Sequence, residues 1–208
     1  MNLLSHSFQF GSLEIHFLVL HRIRLLSISL ARSELISRYR STLEPMASTS
    51  NNSSSRRIYK YDVFLSFRGP DTRNNFIDHL YHHLTKKGIF VFKDDKTLQK
   101  GESISPQLLQ AIRDSRVSIV VFSKNYYKSM WCLDEMAAIH ECRSKLNRTV
   151  IPVFYNVEPS HIRTQARYLG LSIDSPSKKV KYVRNKADQW RKAMSELSNL
   201  AGFVVRDK

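Results

Sequence analysis

Glu135 is the carboxylate whose position could support chemistry. At about 100° per residue, Cys132, Leu133, Met136, Ile139 and Arg143 share one side of a helix that begins at Trp131. Glu135 falls at the edge of that apolar stripe, one turn after Trp131 and on its face. A carboxylate beside an indole, at the carboxyl end of a strand, is partly desolvated and well placed. The same spacing also suits an ordinary helix-boundary glutamate. Asp134 and Glu141 project to the opposite, solvated side. Arg68 and Arg73 flank a Gly-Pro-Asp-Thr turn after an apolar run. Two guanidinium groups in one loop suit phosphates, and they equally suit the capping of a turn. His79, His82 and His83 have the i, i+3, i+4 spacing of a helical metal site. Beyond Asp78 no acidic or cysteine partner stands at ligand spacing, so a surface cluster fits better and no metal is expected.

The common signatures of nucleotide and hydrolase chemistry are missing. There is no P-loop, GxGxxG, GxSxG or HExxH, which disfavours an NTPase, a Rossmann dehydrogenase, an esterase and a zincin. The net charge of +15 raises nucleic acid or an anionic surface as partners. The basic residues are scattered, though, and the densest cluster, Lys178-Lys179-Val180-Lys181, is short. A solvated basic face fits better, and specific nucleic-acid recognition is not expected. The two cysteines, Cys132 and Cys142, lie on one helix about 15 Å apart, too far for a disulfide. That is the pattern of a reducing compartment.

The elements that must position these residues alternate. Apolar strands at Val63–Phe67, Ile89–Phe92, Val117–Phe122, Val150–Tyr155 and Phe203–Val205 alternate with helices over 74–87, from Ser105, over 131–145 and over 186–200. Glu158-Pro159-Ser160 reads as a turn. Strands that are apolar rather than alternating, set between helices, imply a parallel sheet covered on both faces. Ligands then bind in the loops after the strands: 68–73, 94–101, 123–130 and 156–163. Residues 1–57 read as an extension outside the fold, ending in a polar Ser/Asn-rich linker after Met46, the expected natural start. The domain proper occupies 58–208.

Ordered segments then carry a family resemblance. They are Tyr-Asp-Val-Phe-Leu-Ser-Phe-Arg-Gly at 61–69, Asp-Thr-Arg at 71–73, His-Leu-Tyr at 79–81, Gly-Ile at 88–89 and Asp-Asp at 94–95, with Leu98, Gly101 and Ile104. They continue with Ser-Lys-Asn-Tyr at 123–126, Trp-Cys-Leu-Asp-Glu at 131–135 and Ile-Pro-Val-Phe-Tyr-Asn-Val-Glu-Pro-Ser at 151–160. Together they resemble the plant Toll/interleukin-receptor (TIR) domain family. The resemblance implies a flavodoxin-like α/β fold, a five-stranded parallel sheet of order 2-1-3-4-5 flanked by helices. It implies cleavage of NAD or NADP, as substrate rather than cofactor, into nicotinamide and an ADP-ribose-type signal in plant innate immunity. It places catalysis on Glu135 and dinucleotide contacts on Arg68, Arg73, Ser129 and Trp131, with a mobile flap at 94–101. It also implies association with other TIR domains and a cytoplasmic location that can extend to the nucleus, and no stretch of the sequence reaches the ~20 apolar residues of a transmembrane segment. Three departures stand out: Pro70 where the family has Glu, Asp78-His79 where it often has Ser-His, and no counterpart of its last helix before Lys208. The last two leave a second expectation open, a non-catalytic TIR adaptor or decoy.

Overall fold

A computed structural model describes residues 9–11, 18, 21, 59–93, 105–169 and 178–206. Six strands form one sheet: β1 (Gln9–Gly11), β2 (Tyr61–Phe67), β3 (Val91–Lys93), β4 (Ser115–Phe122), β5 (Thr149–Tyr155) and β6 (Phe203–Arg206). Their order is β1-β6-β5-β4-β2-β3 and every pairing is parallel. Counted from Tyr61 the order is 2-1-3-4-5, the flavodoxin-like arrangement expected. The sheet is one strand wider than expected, because Gln9, Phe10 and Gly11 register with Val204, Val205 and Arg206. The edge of β6 otherwise presents unpaired N–H and C=O groups, and a short strand satisfies them. Three residues are too few to show an alternation in the sequence.

The segment 69–86, α1, is one continuous helix in three parts. Gly69–Thr72 is α-helical, Arg73–Ile77 is π-helical and Asp78–Lys86 is α-helical. The 68–73 segment therefore begins a helix rather than ending a loop. Pro70 stands in the first turn, where its missing N–H has no intrahelical partner to lose. The other helices are α2 (Pro106–Arg113), α3 (Met130–Leu146), α4 (Pro159–Tyr168) and α5 (Lys178–Ser198). α4 replaces the predicted turn at 158–160. Its buried stripe is only Ile162 and Ala166, which is too thin to stand out as a periodic signal.

Alternate residues of β2 face opposite cores. Val63, Leu65 and Phe67 pack with Phe76, Ile77, Leu80 and Leu84 of α1. Phe64 joins Leu108 of α2, Met136 of α3, Ile162 of α4 and Trp190 of α5 on the other face. The connection from β2 to β3 and those leading to β4, β5 and β6 step in opposite directions along the sheet. Right-handed connections then put α1 on one face and α2 to α5 on the other.

Two local choices fix the frame. Ser105 caps α2, its hydroxyl accepting from the Leu108 amide at 3.2 Å, and Ser105→Ala is expected to lower stability by about 1 kcal/mol in urea unfolding. Pairing of β5 with β6 starts at Val153, one residue after Pro152, which has no N–H to donate. Gly202 sits against that proline: a Cβ there would lie 2.7 Å from Pro152 Cγ and collide with the Pro152 carbonyl. Gly202→Ala is expected to cost about 1–3 kcal/mol, read as a lower urea midpoint with an unchanged slope.

Candidate active site

The carboxyl ends of β2 and β4 meet the start of α3. Ser129 caps α3, its hydroxyl accepting from the Cys132 amide at 3.3 Å, so this predicted ligand contact also starts the helix. One turn on, Glu135 is buried, with 3% of its surface exposed. Its Oε2 accepts from the Ser66 hydroxyl at 2.6 Å. Ser66 lies 2.8 Å from the Tyr126 hydroxyl, which donates to the Cys132 carbonyl at 3.0 Å. The Cys132 thiol reaches the Phe67 carbonyl at 3.5 Å. Sequence spacing put Glu135 at the margin of the apolar stripe, and the fold takes it inside. Trp131 is half-buried and packs against the same core.

Burial first, then the nearby Glu135 carboxylate, push the Cys132 thiol up, and burial raises the Tyr126 phenol in the same way. Both stay neutral over the working pH range. Arg68 also acts on Cys132, lowering it, so this guanidinium stands on the same side of the sheet end. Arg68 is paired with Asp71. Arg73 lies with its Cζ 5.5 Å from the Phe67 ring centroid. The predicted residues Arg68, Arg73, Ser129, Trp131 and Glu135 thus gather at one end of β2 and α3. The 94–101 loop, predicted to be the flap, lies outside the described residues. His79 and His82 are exposed on α1, and His83 Nδ1 bonds the His79 carbonyl oxygen at 2.8 Å. Asp78, at the departure from the family pattern, pairs with Lys93 of β3 at 3.0 Å.

Asp71 ties the start of α1 to the segment that follows β4. It accepts from the Ser123 hydroxyl at 2.5 Å and the Asn125 amide at 3.3 Å, besides Arg68. Burial opposes its ionisation; the Ser123 donation, the Arg68 charge and Asn125 outweigh it and hold the carboxyl below its ordinary value. A depressed carboxyl stabilises the fold above its unfolded value, near 3.9, and loses that contribution as pH falls through the folded value. Asp71→Asn should therefore be less stable than wild type at pH 7. The difference should shrink below about pH 4, checked by urea midpoints across pH.

Asp134 corrects the sequence reading. It does not face water but is 5% exposed. It accepts from the Tyr182 hydroxyl and from Trp190 Nε1 at 3.1 Å, with Lys186 Nζ at 3.8 Å. The helix expected over 186–200 is α5, and what the sequence did not show is that it packs on the side of α3 that faces water in an isolated helix. Ser66, Tyr126, Asp71 and Ser123, which bond at the same strand ends, were likewise not singled out as candidates. A lone serine inside an otherwise apolar strand, Val-Phe-Leu-Ser-Phe, was the available signal.

A doubly wound parallel sheet of order 2-1-3-4-5, with a buried carboxylate and two arginines at its strand ends, defines a flavodoxin-like α/β domain. A family profile described as "TIR domain" matches residues 60–208, and the chain belongs to that family. It is 47% identical over 161 residues to "Disease resistance protein RPV1" of Vitis rotundifolia, covering 77% of this chain and 11% of that one. It is 47% identical over 160 residues to "TMV resistance protein N" of Nicotiana glutinosa, covering 76% and 14%. Among solved structures, the TIR domains of the activated Roq1 resistosome superpose with a TM-score of 0.60 at 44% identity, covering 69% of this chain and 87% of that one. This is therefore a TIR domain of the plant disease-resistance kind. It spans 11–14% of the length of these curated relatives.

Proposed function

We propose that this chain cleaves the nicotinamide N-glycosidic bond of NAD or NADP, releasing nicotinamide and an ADP-ribose-type signal for plant immunity. The observation that carries the reading is Glu135, a buried carboxylate on the first turns of α3, held by Ser66 and one turn after Trp131. Breaking that bond passes through an oxocarbenium-like transition state. Nicotinamide leaves neutral from a pyridinium, so the departing group needs no general acid. What lowers the barrier is a fixed negative charge near the ribose C1′ in a poorly hydrated site. Glu135 supplies that charge and can orient the attacking water. Arg68 and Arg73, at the end of β2, suit the pyrophosphate.

A second reading is association without turnover, and the closure of Glu135 favours it: a 3% exposed carboxylate must open before a substrate reaches it. The resistosome relative is described in an activated assembly. In this reading the domain binds other TIR domains and acts as an adaptor. The test is nicotinamide release from NAD and NADP by the full chain at high concentration with a crowding agent, beside sedimentation of the same sample. Release supports the enzyme. A folded, self-associating chain that releases none supports the adaptor.

A further inference from the structure

Ser66 is 0% exposed and is the polar member of an otherwise apolar stretch, Val63, Phe64, Leu65 and Phe67, with Val120 of β4 opposite it in the sheet. A hydroxyl buried there is destabilising unless it is bonded. An alanine would fit the same position with no such requirement. The alternation of β2 turns Ser66 toward α3, and the hydroxyl meets Glu135 Oε2 at 2.6 Å and Tyr126 Oη at 2.8 Å. Ser66 and Tyr126 carry one hydroxyl proton each. The Tyr126 proton points to the Cys132 carbonyl at 3.0 Å and can be shared with Ser66 Oγ. The Ser66 proton is then left for the carboxylate, and a charged acceptor makes that the stronger arrangement.

We propose that Ser66 is a positioning residue for Glu135, with Tyr126 setting the direction of its proton. The hydroxyl holds one carboxylate oxygen in a single rotamer and favours the ionised form. The proposal rests on Glu135 being the reacting carboxylate. Among the described residues, Tyr126 and Cys132 are titratable groups that feel that carboxylate, both neutral at working pH, with Arg68 and Asp71 charged groups that act on Cys132.

The test uses the full chain and two readouts. In Ser66→Ala, kcat for nicotinamide release is expected to fall about 10–100-fold with KM changed less than about threefold, the pattern of a lost transition-state contact. The Glu135 carboxyl, followed by NMR with 13C-labelled glutamate and assigned with Glu135→Gln, is expected to titrate about one pH unit higher. Tyr126→Phe keeps the ring packed 5.2 Å from Phe122 and should produce the same changes in smaller measure. It also serves if Ser66→Ala does not fold. An unmoved Glu135 midpoint in both variants overturns the proposal, whatever the activity. A raised midpoint in a chain whose wild type releases no nicotinamide upholds the positioning of Glu135 and removes the enzymatic reading instead.

Discussion

Glu135→Gln is expected to reduce nicotinamide release at least about 100-fold, the scale of losing one preorganised electrostatic contact at a developing charge. Glutamine keeps the shape of the side chain and an amide oxygen that can accept from Ser66, so the 2.6 Å contact and the fold survive. What disappears is the negative charge, in a site where little water screens it. Glu135→Ala should lose as much activity, with a further stability change from the cavity it leaves. The comparison separates charge from shape. If Glu135→Gln retains more than about a tenth of wild-type release, the carboxylate is not the source of catalysis and the enzymatic reading falls.

Trp190→Ala is expected to have the largest effect on stability, about 3–5 kcal/mol. Trp190 is 1% exposed, lies in the core shared by α2 to α5, and donates to Asp134 at 3.1 Å. Truncation removes the packing and leaves Asp134 with Tyr182 and Lys186. At about 2–4 °C per kcal/mol for a domain of this size, the melting midpoint should drop by about 10 °C. Trp190→Phe keeps most of the volume but not the N–H, and should cost about 1–3 kcal/mol. Because Asp134 precedes Glu135 on α3, the clamp also fixes the azimuth of the helix that carries the carboxylate. Equal losses in the two variants would mean that the hydrogen bond, not the packing, anchors α5.

The sheet was legible because its strands are buried on both sides. Val117–Phe122 and Val150–Tyr155 are apolar runs that a solvated face cannot hold, and β4 and β5 extend them by only one or two residues. The start of α3 was legible as well, since Trp131, Glu135 and the core stripe share a helical period. What escaped were features decided by a second element. Asp134 reads as solvated until α5 arrives against it. α4 carries two buried residues and a proline that suggests a turn when read without its neighbours. β1 exists because β6 has an open edge, a condition that no residue of 9–11 announces by itself. The site divides along the same line. Glu135 and the arginines stand in recognisable local patterns, whereas Ser66 meets Glu135 across 69 residues of chain and Tyr126 across 60.

The two buried thiols give the molecule an internal clock. Cys132 and Cys142 are the chain's two cysteines and sit near opposite ends of α3, both with thiols pushed up by burial. A thiol-specific reagent attacks the thiolate, so in the native state each reacts only during excursions that expose it. Its labelling rate therefore measures how often its end of the helix separates from the sheet. Cys132 Sγ lies against the Phe67 carbonyl, in the seam between β2 and α3 that also hides Glu135. Faster modification at Cys132 than at Cys142 would mean that the seam parts by itself, without global unfolding. A dinucleotide seated beside Glu135 would slow the first rate and spare the second, making occupancy visible before a single bond is broken.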